Sequence, residues 1–336
     1  TRLVRAALPV LLAAGSLPPA AGAQELEIVT VIGKRAEPLQ DAAAAVSVIT
    51  GAELEAALAF DLQDALRHEP GVSVPRDPQR FGTGGPIVRG LGGNRVLVET
   101  DGVPVAESFT VGSFSNTGRQ FADLAIVDRI ELLRGPASAL YGSDAIAGVV
   151  AITTLDPSDL LEDGDRALRT RAGYAGDDDS AFAGFTGAAR AGSFEALLAY
   201  AHRDGHELEH EGGGPPSNPR DYDSDALLVR MVHGFLGQPL RLTVEWNRQE
   251  DFTDVDSLEL SGGRFANTIL MQGDDDFESL RILLDQPFAV AGQADQGLWR
   301  AYWQESEVRQ LTHEERRAAP PATPPLAIDR EFHYRE

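Results

Sequence analysis

Residues 134–150 read RGPASALYGSDAIAGVV, and this run decides the fold of the chain. It is rich in small residues, and it ends in a β-branched segment at residues 149–154. Glycines at 135, 142 and 148 permit tight turns and close backbone approach inside a packed domain. The run carries no recognisable catalytic set of side chains. It therefore predicts a packed structural element that leads into a strand.

The run closely resembles the end of the plug domain of TonB-dependent outer-membrane receptors, in which a plug inside a barrel gates nutrient uptake. Further stretches at 45–50, 85–90, 95–105 and 125–135 resemble plug elements in the same order. The resemblance implies an α+β plug domain followed by an antiparallel transmembrane β-barrel. We expect the chain to hold roughly eight of the 22 strands of such a barrel.

Composition excludes several classes of function. The chain has 336 residues, with 29 Lys+Arg against 52 Asp+Glu and a net charge of −23. This acidic balance argues against nucleic-acid binding, which needs a basic surface. The absence of cysteine excludes disulfides and thiolate chemistry. Gly-x-Ser-x-Gly does not occur. His-Glu-Leu-Glu-His at 206–210 has the spacing of His-Glu-x-x-His, but it stands in a glycine-rich segment that favours a loop over the helix this zinc motif needs, so we predict no enzyme, no metal site and no intrinsic cofactor.

Residues 1–23 predict a secretory signal peptide. Arg2 and Arg5 form a positive start, residues 6–14 are mostly apolar, and Ala-Gly-Ala at 21–23 is a cleavage site. The rest of the sequence has no run of about 18 apolar residues, so no membrane helix is predicted. An exported chain of this kind is either a soluble secreted β-protein or a barrel in the outer membrane of a Gram-negative cell.

Residues 24–39 are predicted to be a linker with a partner-binding strand. The segment from Glu27 to Val31 is largely β-branched and suits pairing with a strand of another protein. It resembles the TonB box of the family, which implies that it binds TonB, acting with ExbB and ExbD. An ordinary first strand is the alternative. The predicted TonB-binding residues are Glu27, Ile28, Val29, Thr30 and Val31.

Residues 40–156 are predicted to be the plug domain. A strand at 45–50 leads into a helix capped by Thr50 or Gly51, and a second short helix follows Asp61. The pair Asp101-Gly102 between apolar strands predicts a tight hairpin turn.

Two plug arginines, Arg89 and Arg134, each stand at a strand end directly before glycine. They are either surface residues or part of a buried ion pair, since a desolvated guanidinium needs a carboxylate partner. The resemblance implies the second, a lock in which both pair with barrel glutamates. Those glutamates are expected beyond residue 336.

Residues 157–336 are predicted to be the first part of the barrel. Apolar and polar residues alternate clearly at 241–247, 280–285 and 299–304. Strands that are apolar outside and polar inside are typical of transmembrane barrels, although a soluble β-sandwich also alternates. Tryptophans at 246, 299 and 303 suit an interfacial girdle.

The connections between these strands should alternate in length. Tight turns are predicted at 191–193 and 237–239, and long polar loops at 202–225 and 251–275, with a short acidic outer loop at 176–180. This matches periplasmic turns and extracellular loops. The final residues, 332–336, look like the middle of a strand, so we expect a fragment or a truncated gene model.

The features shared with the haem and haemoglobin branch of the family are residues 89–98, 101–103 and 134–150. They imply energised uptake of haem, haem from haemoglobin, or another iron complex. His206 and His210 are candidate ligands because neutral imidazole binds haem iron, although a solvated loop with chance histidines is the simpler interpretation. A ferric-siderophore or cobalamin receptor is the alternative function, and a soluble secreted β-protein the remote one.

Overall fold

The computed structural model describes residues 29–30, 37–38, 45–75, 85–107, 110–111, 115–116, 122–161, 164–207, 218–255, 266–290, 294–318 and 325–336. Its first part consists of short strands and helices. These elements are β1 (Val29–Thr30), β2 (Glu37–Pro38), β3 (Val46–Thr50), α1 (Gly51–Ala56), α2 (Leu62–Leu66), β4 (Val72–Ser73), β5 (Ile87–Val88), β6 (Val96–Thr100), β7 (Val103–Pro104), β8 (Thr110–Val111), β9 (Ser115–Asn116), β10 (Val127–Arg134), α3 (Ser138–Tyr141) and β11 (Gly148–Thr154).

Five of these strands form one mixed sheet in the order β3-β10-β11-β6-β7. The β11 strand runs parallel to β6, and the other neighbours in the sheet are antiparallel. The sheet confirms the predicted strands at 45–50 and 149–154 and the predicted hairpin turn at Asp101-Gly102, which joins β6 to β7.

The two predicted helices are confirmed, and their caps explain where they begin. Thr50 accepts a hydrogen bond from the Glu53 amide at 3.3 Å, while the Glu53 carboxylate accepts one from the Thr50 amide at 2.8 Å. This capping box satisfies amides that the first turn of α1 leaves without partners. Asp61 caps α2 in the same way by accepting from the Asp64 amide at 2.8 Å.

After α4 (Pro157–Leu161) the chain becomes a meander of long strands. Eight antiparallel strands pair in sequence order and form a curved wall. They are β12 (Arg166–Ala175), β13 (Ser180–Ala191), β14 (Phe194–His206), β15 (Arg220–Phe235), β16 (Gln238–Asp254), β17 (Thr268–Val290), β18 (Ala294–Arg316) and β19 (Leu326–Arg335).

The plug sheet and the wall share one apolar core. Ile130 and Leu132 of β10 are fully buried, and they belong to the same cluster as Leu197 of β14 and Leu228 of β15. Full burial of each such side chain contributes about 1.5–3 kcal/mol. The plug therefore packs directly on the face of the wall that carries Leu197 and Leu228, which we call the inner face.

The opposite, outer face of the wall confirms the predicted alternation. Paired residues of five adjacent strands form an apolar row there, and the next row toward the long loops contains Phe185, Tyr200 and Trp246. On β14 to β17, charged or ionisable side chains begin one row further, at His202, Asp225, Arg248 and Glu278. This order of apolar, aromatic and charged rows suits a bilayer and its interface. The apolar row consists of Leu198, Val229, Val244, Ile282 and Trp303. Among the described residues, no helix has the length and apolarity needed to cross a bilayer.

Three predicted connections are wrong in their limits. The second tight turn lies at Leu236-Gly237, both with positive φ, so residues 238 and 239 already belong to β16. The polar stretches at 202–206 and 220–225 continue β14 and β15, and 251–254 and 268–275 continue β16 and β17. Polar sequence predicts a loop, but neighbouring strands satisfy each other's backbone groups well beyond the apolar rows.

The outer face gives a stability prediction. Val244→Arg, within the apolar row of β16, should lower the free energy of unfolding in lipid by about 2–4 kcal/mol, since a guanidinium there must leave water. Phe252→Arg is the matched control on the same strand and face, in the charged region, and should change it by about 0–1 kcal/mol. Denaturant titration in vesicles measures both. Equal losses would contradict the assignment of the apolar row to the bilayer.

Candidate functional site

The turn between β6 and β7 presents a carboxylate to the inner face of the wall. Asp101 and Gly102 adopt φ of +49° and +72°, the left-handed pair of a type I′ turn. The Asp101 carboxylate accepts hydrogen bonds from the amide and the hydroxyl of Thr154, at 3.0 and 2.7 Å. The Asp101 amide donates to the Ile152 carbonyl at 2.8 Å. These contacts with β11 fix the direction of the carboxylate.

Arg230 of β15 binds this carboxylate from the wall. Its Nη2 donates to Asp101 Oδ2 at 2.8 Å, and its Nη1 donates to the carbonyls of Thr154 and Leu155, each at 3.0 Å. The Nε donates to the Thr243 hydroxyl of the neighbouring strand at 3.0 Å. The guanidinium thus connects the wall to the end of β11 and to the hairpin at once.

Arg281 of β17 approaches the same carboxylate from the other side. Its Nη2 lies 3.8 Å from Asp101 Oδ2 and also bonds Glu245 of β16, while its Nη1 donates to the Thr100 carbonyl at 3.0 Å. We call the group of Asp101, Thr154, Arg230 and Arg281 the latch, because it joins the plug sheet to the wall through bonds from both.

Two further wall arginines extend the latch along the inner face. Arg300 of β18 donates from Nη1 to the Gly102 carbonyl at 2.8 Å. A Cβ at Gly102 would meet this guanidinium, which is the movable end of a long side chain, so the positive φ is the main reason for glycine in the turn. Arg241 of β16 donates to Asp156, just after the plug sheet, at 3.3 Å.

The latch is buried and charged. The side chains of Asp101, Arg230 and Arg281 are only 8%, 6% and 7% exposed. Burial alone would raise the pKa of Asp101, but the two guanidinium groups and the Thr154 hydrogen bonds outweigh it and hold that pKa below its usual range. Asp101 is therefore ionised at neutral pH, and the latch is a buried ion pair shared between plug and wall.

A more exposed set of contacts joins the plug helices to the first strands of the wall. Arg169 and Arg171 of β12 pair with Glu55 of α1, the former at 3.1 Å. The Arg203 guanidinium of β14 lies over two rings, one from the plug and one from β13, which adds a cation–π contribution. The rings are those of Phe60 and Phe182, at 5.3 and 5.4 Å, and Asp123 lies 3.5 Å from the same guanidinium.

The structure places the two predicted lock arginines within the plug. Arg134, at the end of β10, bonds Glu69 and donates to the Ser47 hydroxyl at 2.7 Å. Arg89 is exposed at φ +51° in the turn after β5, where its amide donates to the Gly71 carbonyl at 2.7 Å. Pairing of either arginine with barrel glutamates stays a prediction.

Only one of the two predicted cargo histidines, His206, lies in the described part of the chain. His206 ends β14 on the outer face, where its Nδ1 lies 2.7 Å from Asp221. It borders a cleft of about 530 Å³ that is otherwise lined mostly by carboxylates. His210 lies outside the described residues. Within the described ranges, no group of three or more His, Asp or Glu side chains is arranged to hold a metal ion.

Only part of the predicted TonB-binding segment is described. Val29 and Thr30 form β1, which pairs antiparallel with β2 through Val29↔Pro38 and Thr30↔Glu37. Glu27, Ile28 and Val31 lie outside the described residues.

Sequence reasoning missed the latch. It identified Asp101 only as a turn residue and Arg281 only as a polar member of an alternating strand. The available signal was the recurrence of arginine at polar-face positions of consecutive strands, at 230, 241, 281 and 300. An inner wall that faces water alone does not require one cation per strand, so the recurrence indicates an anionic surface opposite.

Comparison with known proteins identifies the plug. Residues 38–149 match the family model described as TonB-dependent Receptor Plug Domain. A probable haemoglobin and haemoglobin-haptoglobin-binding protein of Haemophilus influenzae is 32% identical over 174 residues, which are 49% of this chain and 17% of that protein. The vitamin B12 transporter of Vibrio vulnificus is 35% identical over 136 residues, 39% of this chain and 22% of that protein.

The fold also has relatives among solved structures. The FrpB iron transporter of Neisseria meningitidis superposes with a TM-score of 0.64 at 18% identity, over 87% of this chain and 48% of that one. The matches therefore span less than a quarter of the two curated relatives and about half of the solved structure. The chain carries the plug domain of a TonB-dependent receptor followed by part of the receptor barrel, and its place is the outer membrane.

The latch gives a stability prediction. Asp101→Asn keeps the size of the side chain but removes the hydrogen-bonded counter-charge of the buried Arg230, whose other carboxylate, Asp156, lies 4.0 Å away, so the free energy of unfolding should fall by about 3–5 kcal/mol. Glu55→Gln removes the partner of Arg169 and Arg171 at an exposed position and should cost less than about 1 kcal/mol. Denaturant titration compares the two variants. If Asp101→Asn lost no more free energy of unfolding than Glu55→Gln, the result would contradict a buried ion pair at Asp101.

The pKa of Asp101 also predicts a pH dependence. Its value in the folded protein is lower than the unfolded value of about 3.9, so its contribution is complete above that pH and is lost as the pH falls through the folded pKa. The contribution of Asp101 to the unfolding midpoint should therefore be constant at neutral pH and change with pH only in the acid limb. When the unfolding midpoint is measured between pH 3 and pH 7, it should fall less steeply on the acid side for Asp101→Asn than for the wild type. Parallel curves for the variant and the wild type would argue against the lowered pKa of Asp101.

Proposed function

We propose that this chain is the N-terminal part of an energised transporter for an iron complex, with haem or haem taken from haemoglobin as cargo. The observation that carries the proposal is the plug itself, which is fixed to the inner face of a barrel wall by buried ion pairs. Such an arrangement closes a pore and opens only when work is done on the plug. The protein performs no chemistry on the cargo and holds no intrinsic cofactor.

The work comes from TonB, acting with ExbB and ExbD, through the segment Glu27 to Val31. The backbone of Val29 and Thr30 is already extended and paired with a short strand. A strand of TonB would take the place of this two-residue partner and form a longer ladder. Residues 1–23 are removed on export, residues 24–39 form the linker, 40–156 the plug and 157–336 the first barrel strands.

Arg89 and Arg134 serve as a second tie between plug and barrel, alongside the latch. The side chain of Arg134 is mostly buried at the end of β10, and its partner Glu69 belongs to the plug. Glutamates from later barrel strands would complete this ion-pair network.

The haem assignment is supported by the haemoglobin-binding relative from Haemophilus influenzae. A siderophore or cobalamin receptor is the second candidate, since the vitamin B12 transporter of Vibrio vulnificus matches 39% of the chain at 35% identity. His206 and His210 contribute to haem capture at the outer rim. The contribution of His206 is modest, because the surrounding carboxylates repel the anionic propionates of haem.

The energised step predicts the effect of a strand-breaking change. Val29→Pro removes a ladder donor and should abolish uptake while cargo binding at the cell surface persists. Val29→Thr, which keeps the amide and the β-branched shape, should transport normally. Uptake of labelled cargo by cells with and without TonB measures this. Unimpaired transport by the proline variant would refute the role of the segment.

The cargo assignment is tested by growth and binding. Cells with the complete receptor should grow on haem as the iron source only when TonB is present. His206→Ala should weaken haem binding two- to threefold at most, whereas His202→Ala, whose ring is paired with Asp225 nearer the apolar rows, should leave it unchanged. Growth on a ferric siderophore but not on haem would move the assignment to the second candidate.

A further inference from the structure

Two of the wall arginines that hold the plug, Arg230 and Arg300, depend on the plug for hydrogen-bond acceptors. Arg230 takes its carboxylate and both its carbonyl acceptors from the plug, and on the wall its described bond is to the Thr243 hydroxyl. Arg300 likewise donates to the Gly102 carbonyl of the hairpin. If the hairpin moves away, Arg230 loses the Asp101 carboxylate and Arg300 loses the Gly102 carbonyl.

The neighbouring positions do not neutralise this loss. Glu245 remains with Arg281, and Asp285 lies 3.9 Å from Arg241 and beside Arg300 in the β17–β18 register. Wall carboxylates are thus fewer than wall arginines once Asp101 and Asp156 have left. A buried guanidinium without a counter-charge is costly. The row of wall arginines at 230, 241, 281 and 300, once uncovered, therefore attracts an anion.

The row also has donor capacity that the plug does not fill. The Nε atoms of Arg281 and Arg300 are buried and have no hydrogen-bond partner in the described part of the structure. The Arg281 side chain is more than nine-tenths buried, and it lies against the same inner face. A planar guanidinium that offers Nε and Nη together matches the two oxygens of a carboxylate.

We propose that Arg230, Arg281 and Arg300 form a transient binding site for a carboxylate group of the cargo, uncovered when the Asp101 hairpin leaves the wall. The proposal rests on the transport function, and it adds that the cargo is an anion bearing carboxylates. The plug carboxylate occupies the site in the closed state, and the cargo carboxylate replaces it during passage. Lipid anions are excluded because the row lies on the inner face.

The test imitates the departure of the plug carboxylate without moving the hairpin. Asp101→Gly empties the site, and the left-handed φ of +49° at this position suits glycine. Acetate should then bind between Arg230 and Arg281 and raise the melting temperature of the purified protein in detergent. The expected rise is about 2–4 °C at acetate concentrations near ten times Kd.

Two controls separate site binding from a general salt effect. Asp101→Asn also lacks the charge but fills the space, so acetate should not stabilise it. Arg230→Gln in the Asp101→Gly background should abolish the acetate effect. Sodium chloride at equal ionic strength should stabilise Asp101→Gly far less than acetate does.

An acetate effect of the same size in wild type, Asp101→Asn and Asp101→Gly would overturn the proposal, as would equal rescue by chloride. If Asp101→Gly does not fold unaided, its refolding yield in acetate against chloride gives the same test. Recovery in acetate alone supports the site, and recovery in neither overturns it. The readout involves no uptake, so it succeeds or fails independently of the transport function.

Discussion

The carboxylate of Asp101 is the constraint on which the rest of the structure depends. It is shared between the plug, through Thr154, and the wall, through Arg230 and Arg281. All of these groups are withdrawn from water, so none of them can be removed without leaving another charge or dipole unsatisfied. The hairpin turn, the glycine at 102 and the end of β11 are each shaped by the need to deliver this one anion to the wall.

The same interaction explains how the charges of the chain are distributed. The inner face of the wall carries arginine on consecutive strands opposite plug carboxylates, whereas the outer face above the aromatic row is dominated by Asp and Glu. A net charge of −23 therefore coexists with a basic inner surface that the plug covers. The charge of the whole chain describes the exposed rim, and it conceals the basic part of the wall that the plug covers. A basic lumen favours anions by electrostatic attraction.

Sequence patterns predicted the architecture because they depend on local and periodic effects. The capping box at Thr50, the Asp101-Gly102 turn and the alternation in β16 each follow from neighbouring residues. Strand ends were missed where polar rows extend β14 to β17 beyond the apolar zone, since polarity alone does not separate a solvated strand from a loop. The latch was missed because its members lie 129 positions apart in sequence, as for Arg230 and Asp101, and only the folded plug brings them together. His210 and three of the five TonB-segment residues lie outside the described part of the chain and stay predictions.

A double-mutant cycle between Asp101 and Arg230 tests the central claim most directly. Asp101→Asn and Arg230→Met, alone and together, are compared by denaturant unfolding at neutral pH in the same detergent. If the plug is held by a buried ion pair, the single variants should each be strongly destabilised and the double variant should recover part of the loss, with a coupling energy of about 2–3 kcal/mol. Additive losses, with coupling below about 0.5 kcal/mol, would show that the two residues stabilise the protein independently and that the plug is held to the wall by other means.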